Sequence, residues 1–387
     1  MEHDKNGFLK GALFGALAML LVGGMLLLIV TNLGGTSIID ADVENKLALL
    51  QSYIDDRFLY DVDEEELQEG IYLGYVEALG DPYSTYYTAE ETETILESTT
   101  GEYSGIGALM SQSIESGIIT LVNVFDDSPA EEAGLLDGDI LEMVNGVEVT
   151  GEELTNVVAQ VKGEEGTDVE ITVYRSSEME SITVSVTRGV VENPTVSYEL
   201  KEENIGYIQV SEFDTVTYSQ FKEALEDLET QGMEGLIIDL RSNPGGSLDT
   251  VCAMLELLLP EGIIVYTEDK DGNRNEVYST GENEFDKPMA VLINGYSASA
   301  SEIFAGAIQD YGIGQIVGET SYGKGVVQQM ISLPDDTMLK ITVSEYFTPL
   351  GRNIHGIGIE PDVEVSYDYN DLETDEQLEK AMEVVTE

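Results

Sequence analysis

The sequence predicts a multidomain chain of mixed α+β and α/β class: an N-terminal transmembrane helix, a helical arm, a compact strand-rich unit and an α/β core. Three observations predict it. Gly11 to Val30 is an uncharged apolar run of 20 residues, long enough to cross a bilayer as a helix. The apolar period changes from helical to alternating near Tyr103, and from about residue 200 strands alternate with amphipathic helices.

The first segment, residues 1–35, reads as a cytoplasmic stub and membrane anchor. Lys5 and Lys10 precede the run "GALFGALAMLLVGGMLLLIV", and Asp40, Asp42 and Glu44 follow it. That asymmetry leaves the N-terminus in the cytoplasm and the bulk of the chain on the extracytoplasmic side of the cell membrane, as a single-pass protein. A cleaved signal peptide is the competing reading, although no A-x-A site follows the run. Gly11 and Gly15 have the GxxxG spacing of paired membrane helices. Residues 36–99 read as helical, with an acidic first turn in "DEEELQEGIYLGYVEALG" and a break at Asp81-Pro82. No chemistry is legible in this arm.

Residues 100–189 change character. "GIITLVNVF" and "TDVEITVYRSSEMESITVSVTRG" alternate β-branched and polar residues as strands and a hairpin do. Between them "SPAEEAGLLDGDILEMVNG" resembles a PDZ domain, with a short helix at Pro129–Ala133 and a Gly-Asp turn at Gly138-Asp139. The loop Ser104, Gly105, Ile106, Gly107 and Ala108 sits where that family binds a carboxylate. Glycines there let successive N–H groups converge on one anion while the next strand edge pairs with a peptide.

Residues 190–366 form the α/β core: "IGYIQVSEF", "GLIIDL", "GIIVYTED" and "PMAVLING" are strands with helices between them. Residues 367–387 end in a helix, "TDEQLEKAMEVV", suited to docking on the core or to pairing two copies as a homodimer.

Composition excludes several functions. With 17 basic and 76 acidic residues the formal net charge is −59, which argues against nucleic acid as a partner. The single cysteine, Cys252, lies in an apolar run and reads as a small core residue. The only histidines, His3 and His355, are far apart, so neither a histidine metal centre nor any other metal or cofactor is expected.

Without histidine, a base must come from elsewhere. "GETSYGKGVVQQ" begins like a phosphate-binding loop, but Gly325 stands where a hydroxyl is needed, and the segment runs from strand to strand. What remains is Lys324 in a glycine turn. A helix starting in "NGYSASASEIFAG" and a returning strand bring this turn level with the serines, and a serine with a neutral lysine makes a dyad. Spacing leaves open which of Ser297, Ser299 and Ser301 serves. If the chain after Gly325 is extended, Gln328 shares a face with Lys324 and can orient its amine. The loop "DLRSNPGGS" places Gly245 and Gly246 at a helix N-terminus, where their N–H groups, with that of Ala300, can hold an oxyanion.

With the PDZ-like unit upstream, "DLRSNPGGSL", "NGYSASASEIFAGAIQD", "GETSYGKGVVQ" and "GRNIHGIGIEPD" resemble the carboxyl-terminal processing, or tail-specific, serine proteases over roughly residues 41–387. The resemblance implies a crotonase-like α/β protease core with Ser299 as nucleophile, Lys324 as base and Gln328 completing the site. It also implies a PDZ unit that binds the free C-terminus of protein or peptide substrates, with Lys162 at a basic position that senses its state. His355 falls in a segment that is structural in that family. A non-catalytic PDZ tether and an acyl-CoA enzyme on a related core are the rival readings. The intact Ser, Lys and Gln set opposes the first, and the PDZ-like unit the second.

Overall fold

The computed structural model describes residues 38–283, 285–367 and 374–386. The apolar run Gly11–Val30 and its expected anchor lie outside the described residues. Among those described, no helix is long and apolar enough to cross a membrane.

The chain divides into two units, residues 1–70 and 71–387. In the first, α1 (Ala41–Arg57) starts at Asp40, whose carboxylate accepts from the N–H groups of Asp42 and Val43 at 3.0 and 3.1 Å. It buries none of its residues. Helix α2 (Glu64–Glu77), with its acidic first turn, runs on into the second unit.

The second unit places a strand inside the stretch that reads as mainly helical. Strand β1 (Thr85–Tyr87) pairs antiparallel with a core strand, Thr85 opposite Lys340. Helix α3 (Ala89–Thr100) follows, fixed at its start by a capping box between Thr88 and Glu91 and ended by Gly101 in the left-handed conformation.

The PDZ-like unit enters through β2 (Glu102–Gly105) and leaves through β9 (Gly189–Glu192), which pair with each other as a ribbon. Between them lie β3 (Ala108–Gln112), β4 (Ile119–Val124), a short α4 (Pro129–Glu132), β5 (Ile140–Val144), β6 (Val147–Glu148), α5 (Leu154–Val161), β7 (Asp168–Arg175) and β8 (Glu180–Thr187). The sheet order β3-β4-β5-β7-β8 leaves β3 at an edge. The alternating residues that suggested strands are those that close its core: Leu121, Val169, Ile171 and Val173 are all fully buried. Asp139 of the Gly-Asp turn is gripped by Arg175, Nε to Oδ1 at 2.8 Å and Nη2 to Oδ2 at 2.6 Å.

The core is built on β10 (Val196–Leu200), β11 (Ile205–Val210), α6 (Thr217–Gln231), β12 (Gly235–Asp239), α7 (Leu248–Glu256), β13 (Gly262–Asp269), β14 (Arg274–Ser279), β15 (Met289–Ile293), α8 (Ala300–Tyr311), β16 (Gln315–Gly318), β17 (Val326–Ser332), β18 (Met338–Phe347), β19 (Val363–Glu364) and α9 (Glu376–Thr386). One sheet has the order β10-β11-β12-β15-β16-β19, parallel except for β10. Strands β12 and β15 are buried at every residue, which is why they read as unbroken apolar runs. Helices α6, α7 and α8 cover one face through Phe221, Leu255 and Phe304. The terminal helix α9 covers the other with Ala381 and Val385, so of its two expected roles it docks on its own chain. A second sheet, β1-β18-β13-β14 with β17 on β18, stands alongside.

Candidate active site

Three neighbouring parallel strands deliver the site from their carboxyl ends, where open α/β sheets place ligands. Strand β12 leads into the glycine loop, β15 into the serine turn and β16 into the lysine loop. Gly245, Gly246, Ser299, Ala300, Lys324 and Gln328 all line one cavity of about 550 Å³.

The three serines differ sharply. Ser297 and Ser301 are fully buried, and their hydroxyls donate to the carbonyls of Leu240 at 2.8 Å and Asn243 at 3.0 Å. Ser299 lines the cavity with φ 55° and ψ −112°, a conformation that strains a residue with a Cβ. Such strain persists only where the surroundings impose it. Here Glu302 Oε2 accepts from the Ser299 N–H at 2.9 Å, and the Tyr346 hydroxyl lies 3.0 Å from its carbonyl oxygen.

Glu302 was legible only as a residue opening a helix, and it joins the site together. Its side chain is fully buried. Oε2 also accepts from the Lys324 N–H at 2.8 Å, and Oε1 from Ser321 Oγ at 2.6 Å and the Gly323 N–H at 2.7 Å. One carboxylate therefore fixes the serine turn and the lysine loop side by side. Tyr346 repeats the clip from the carbonyl side, its hydroxyl 2.7 Å from Lys324 O. Burial, then Glu302 and Tyr83, push its phenol well above the usual range, so it stays a donor.

Lys324 points its ammonium over the ring of Tyr83, 5.0 Å from the centroid. Burial lowers its pKa and the nearby Lys340 lowers it further, while Glu302 and Asp81 pull the other way. The segment "GDPYS" thus packs against the lysine, and the helical arm is not without a part in the site. Ser84 Oγ donates to Asp81 Oδ2 at 2.5 Å and accepts from the Thr342 N–H at 3.0 Å, tying this turn to β18.

Two expectations about neighbours are corrected. Strand β17 begins only at Val326 and has a bulge between Val327 and Gln328, which breaks the alternation counted from Lys324. The Gln328 amide donates to Thr342 Oγ1 at 3.2 Å instead of meeting the lysine amine. In the glycine loop, the Gly245 N–H is taken by Asn243 Oδ1 at 2.8 Å. Gly246 is bridged to Phe213 by its flanking groups, Phe213 N–H to Gly245 O and Ser247 N–H to Phe213 O. That arrangement turns the Gly246 N–H away from Phe213, and Ala300 opens α8 beside the serine turn. Gly245 is still required: with φ 106°, a Cβ there would fall 2.7 Å from Ala298 O and 2.8 Å from Ser299 Cβ. His355 is exposed; its backbone backs Gly325, and its N–H donates to Asn353 Oδ1 at 2.8 Å.

A second cavity, of about 340 Å³, lies between the edge strand β3 and α5. Gly105, Ile106, Gly107 and Ala108 line it with Leu109, Phe125 and Val158. Ser104 does not line it; its backbone pairs with Val190 in the ribbon. Lys162 stands at the rim, ion-paired to Glu97 Oε2 of α3 at 2.5 Å and 4.9 Å from the Tyr103 ring centre. Ser98 of the same helix lines both cavities. Among the described residues no cluster of side chains is suited to hold a metal ion.

A PDZ unit set before an α/β core with a strained serine and a half-buried lysine defines a serine-type peptidase, and the comparisons agree. Residues 204–365 match Peptidase family S41, residues 122–175 the PDZ domain, and residues 35–92 the activating protease CtpB N-terminal domain. A carboxy-terminal-processing protease of Bartonella bacilliformis is 36% identical over 78% of this chain and 70% of its own length. The carboxy-terminal processing protease CtpA of Bacillus subtilis is 34% identical over 82% and 68%. Among solved structures, a photosystem II D1 C-terminal processing protease superposes with a TM-score of 0.50 at 28% identity, covering 88% of this chain and 91% of that one. The chain belongs to peptidase family S41, among the carboxy-terminal-processing proteases with a PDZ domain.

Proposed function

We propose that this is a membrane-anchored serine endopeptidase that cleaves extracytoplasmic proteins or peptides through a Ser299/Lys324 dyad, guided by the substrate's free C-terminus. The observation that carries the dyad is Glu302, whose one carboxylate accepts from the backbone of both residues. Neutral Lys324 takes the Ser299 proton as Oγ attacks the scissile carbonyl, and the oxyanion is received by the N–H groups of Gly246 and Ala300. The protonated amine then passes its proton to the leaving nitrogen. Water, deprotonated by the same lysine, releases the acyl group. Gln328, reaching Thr342, holds the wall beside the lysine. Labelling by a fluorophosphonate probe, mapped to Ser299 by mass spectrometry, tests the assignment; label on another serine or none overturns it.

Because the half-buried lysine must lose its proton before it can act, activity is expected to rise with pH through a lysine ionisation below the usual range. Lys340 is a like charge that disfavours the protonated form. Lys340→Gln removes it, so the Lys324 pKa rises and the rising limb of the kcat/KM profile moves to higher pH. A limb that stays in place, with the fold intact, shows that the titrating group is not this lysine.

The groove on β3 fits a C-terminal peptide: a free strand edge, glycines at one end and an apolar floor with Ile106. Amidation of a substrate's C-terminus replaces a charged acceptor with a neutral group, at a cost of about 1–3 kcal/mol. Titration calorimetry of a free and an amidated peptide is expected to give a Kd difference of about one to two decades. Equal affinities leave the groove without this role. For the anchor and the orientation, the expected outcome is that the core stays with membranes through carbonate washing and is digested by protease added outside intact cells.

A further inference from the structure

Glu212 and Asp214 line the cavity that holds Ser299 and Lys324, and the chemistry above uses neither. They flank Phe213, which is fully buried and fixed to the glycine loop through its own N–H and carbonyl. Asp214 is pinned as well, its N–H donating to Thr217 Oγ1 at 3.0 Å and its carbonyl accepting from the Thr217 N–H at 3.1 Å. Two carboxylates are thus held on a rigid segment next to Gly246.

In a chain with 76 acidic residues, an exposed carboxylate needs no explanation. Asp214 is 5% exposed, and among the described residues no donor or cation engages its carboxylate. Burial, with Glu212 adding to it, pushes its carboxyl up to about 6. The cations that line the cavity are occupied elsewhere: Lys340 Nζ donates to the Tyr87 hydroxyl at 3.0 Å, and Lys324 lies over Tyr83. A buried carboxylate without a counter-charge is costly unless something brings one. It opens onto a cavity whose walls include Ile95 and Leu248, apolar surface on which the stem of a long basic side chain packs.

We propose that Glu212 and Asp214 form an acidic subsite that takes a lysine or arginine side chain of the substrate close to the scissile bond. The inference rests on the peptidase reading of the same cavity and adds to it a selectivity. The test uses the full-length protein at pH 8 and N-acetylated peptides, so that no α-ammonium competes. A single lysine is scanned over three positions on each side of the cleaved bond, each peptide paired with norleucine and with ε-acetyllysine at that position. At one position lysine is expected to exceed both neutral partners by about tenfold or more in kcat/KM. In Asp214→Asn, and more fully in Glu212→Gln/Asp214→Asn, that ratio falls toward one. Asp214→Asn is isosteric and breaks no hydrogen bond, and the ε-acetyllysine arm needs no variant. Hydrolysis without lysine preference, or a preference that survives both variants, overturns the subsite alone. No hydrolysis of any peptide by the unaltered protein overturns the peptidase reading and the subsite with it.

Discussion

Ser299→Ala and Lys324→Ala are each expected to lower peptide hydrolysis by about 10⁴-fold or more, and the double variant to lose little beyond either single one. A nucleophile without its base and a base without its nucleophile are equally idle, so the losses do not add. Neither truncation should unfold the protein. Ser299 is held through its backbone, which alanine retains, and strain at φ 55° is no worse for alanine than for serine. Lys324 makes its clip to Glu302 with its N–H, which also survives. Thermal unfolding measured beside kcat/KM checks this. Substantial turnover by either variant at an unchanged Tm removes the dyad, and additive losses show that the two side chains act separately.

The second large effect is expected at Glu302. Its two oxygens accept four hydrogen bonds, three from backbone N–H groups and one from Ser321. Glu302→Ala leaves these donors buried without an acceptor, at about 3–5 kcal/mol in total. Glu302→Gln keeps the shape but turns an NH₂ toward two of the donors, and is expected to cost about 1–3 kcal/mol. In both, the serine turn and the lysine loop lose their shared anchor, so activity should fall well before stability is exhausted. A Glu302→Gln variant with the original activity and melting temperature would show that the carboxylate is dispensable. Ser321→Ala serves as a graded comparison, because it removes one donor and leaves the carboxylate in place.

Much of the fold was legible because its signals are local. The parallel strands β12 and β15 are buried on both faces and so read as continuous apolar runs, while the PDZ strands alternate because one face meets a core and the other solvent. What could not be read was pairing between distant segments. Thr85–Tyr87 falls in a stretch that reads as helical, since three residues carry little periodicity; its place is decided by β18, some 250 residues away in the chain. The bulge at Gln328 likewise has no local mark, and it broke the face shared with Lys324 that simple alternation requires.

The site divides along the same line. Residue types and their order already show that a histidine-poor chain offers a lysine in a glycine turn and serines at a helix start, and that four ordered motifs resemble the tail-specific proteases. Glycine, lysine and serine in those turns are chemistry that a string of residues displays. Tertiary structure alone distinguished the three serines by what holds their hydroxyls, tied the Gly245 N–H to Asn243, and drew Tyr83, Asp81 and Lys340 around the lysine. Each of these depends on where a donor, a ring or a charge from another element arrives. Coulomb and hydrogen-bond energies fall off over a few ångströms in space, a distance that separation along the chain does not measure.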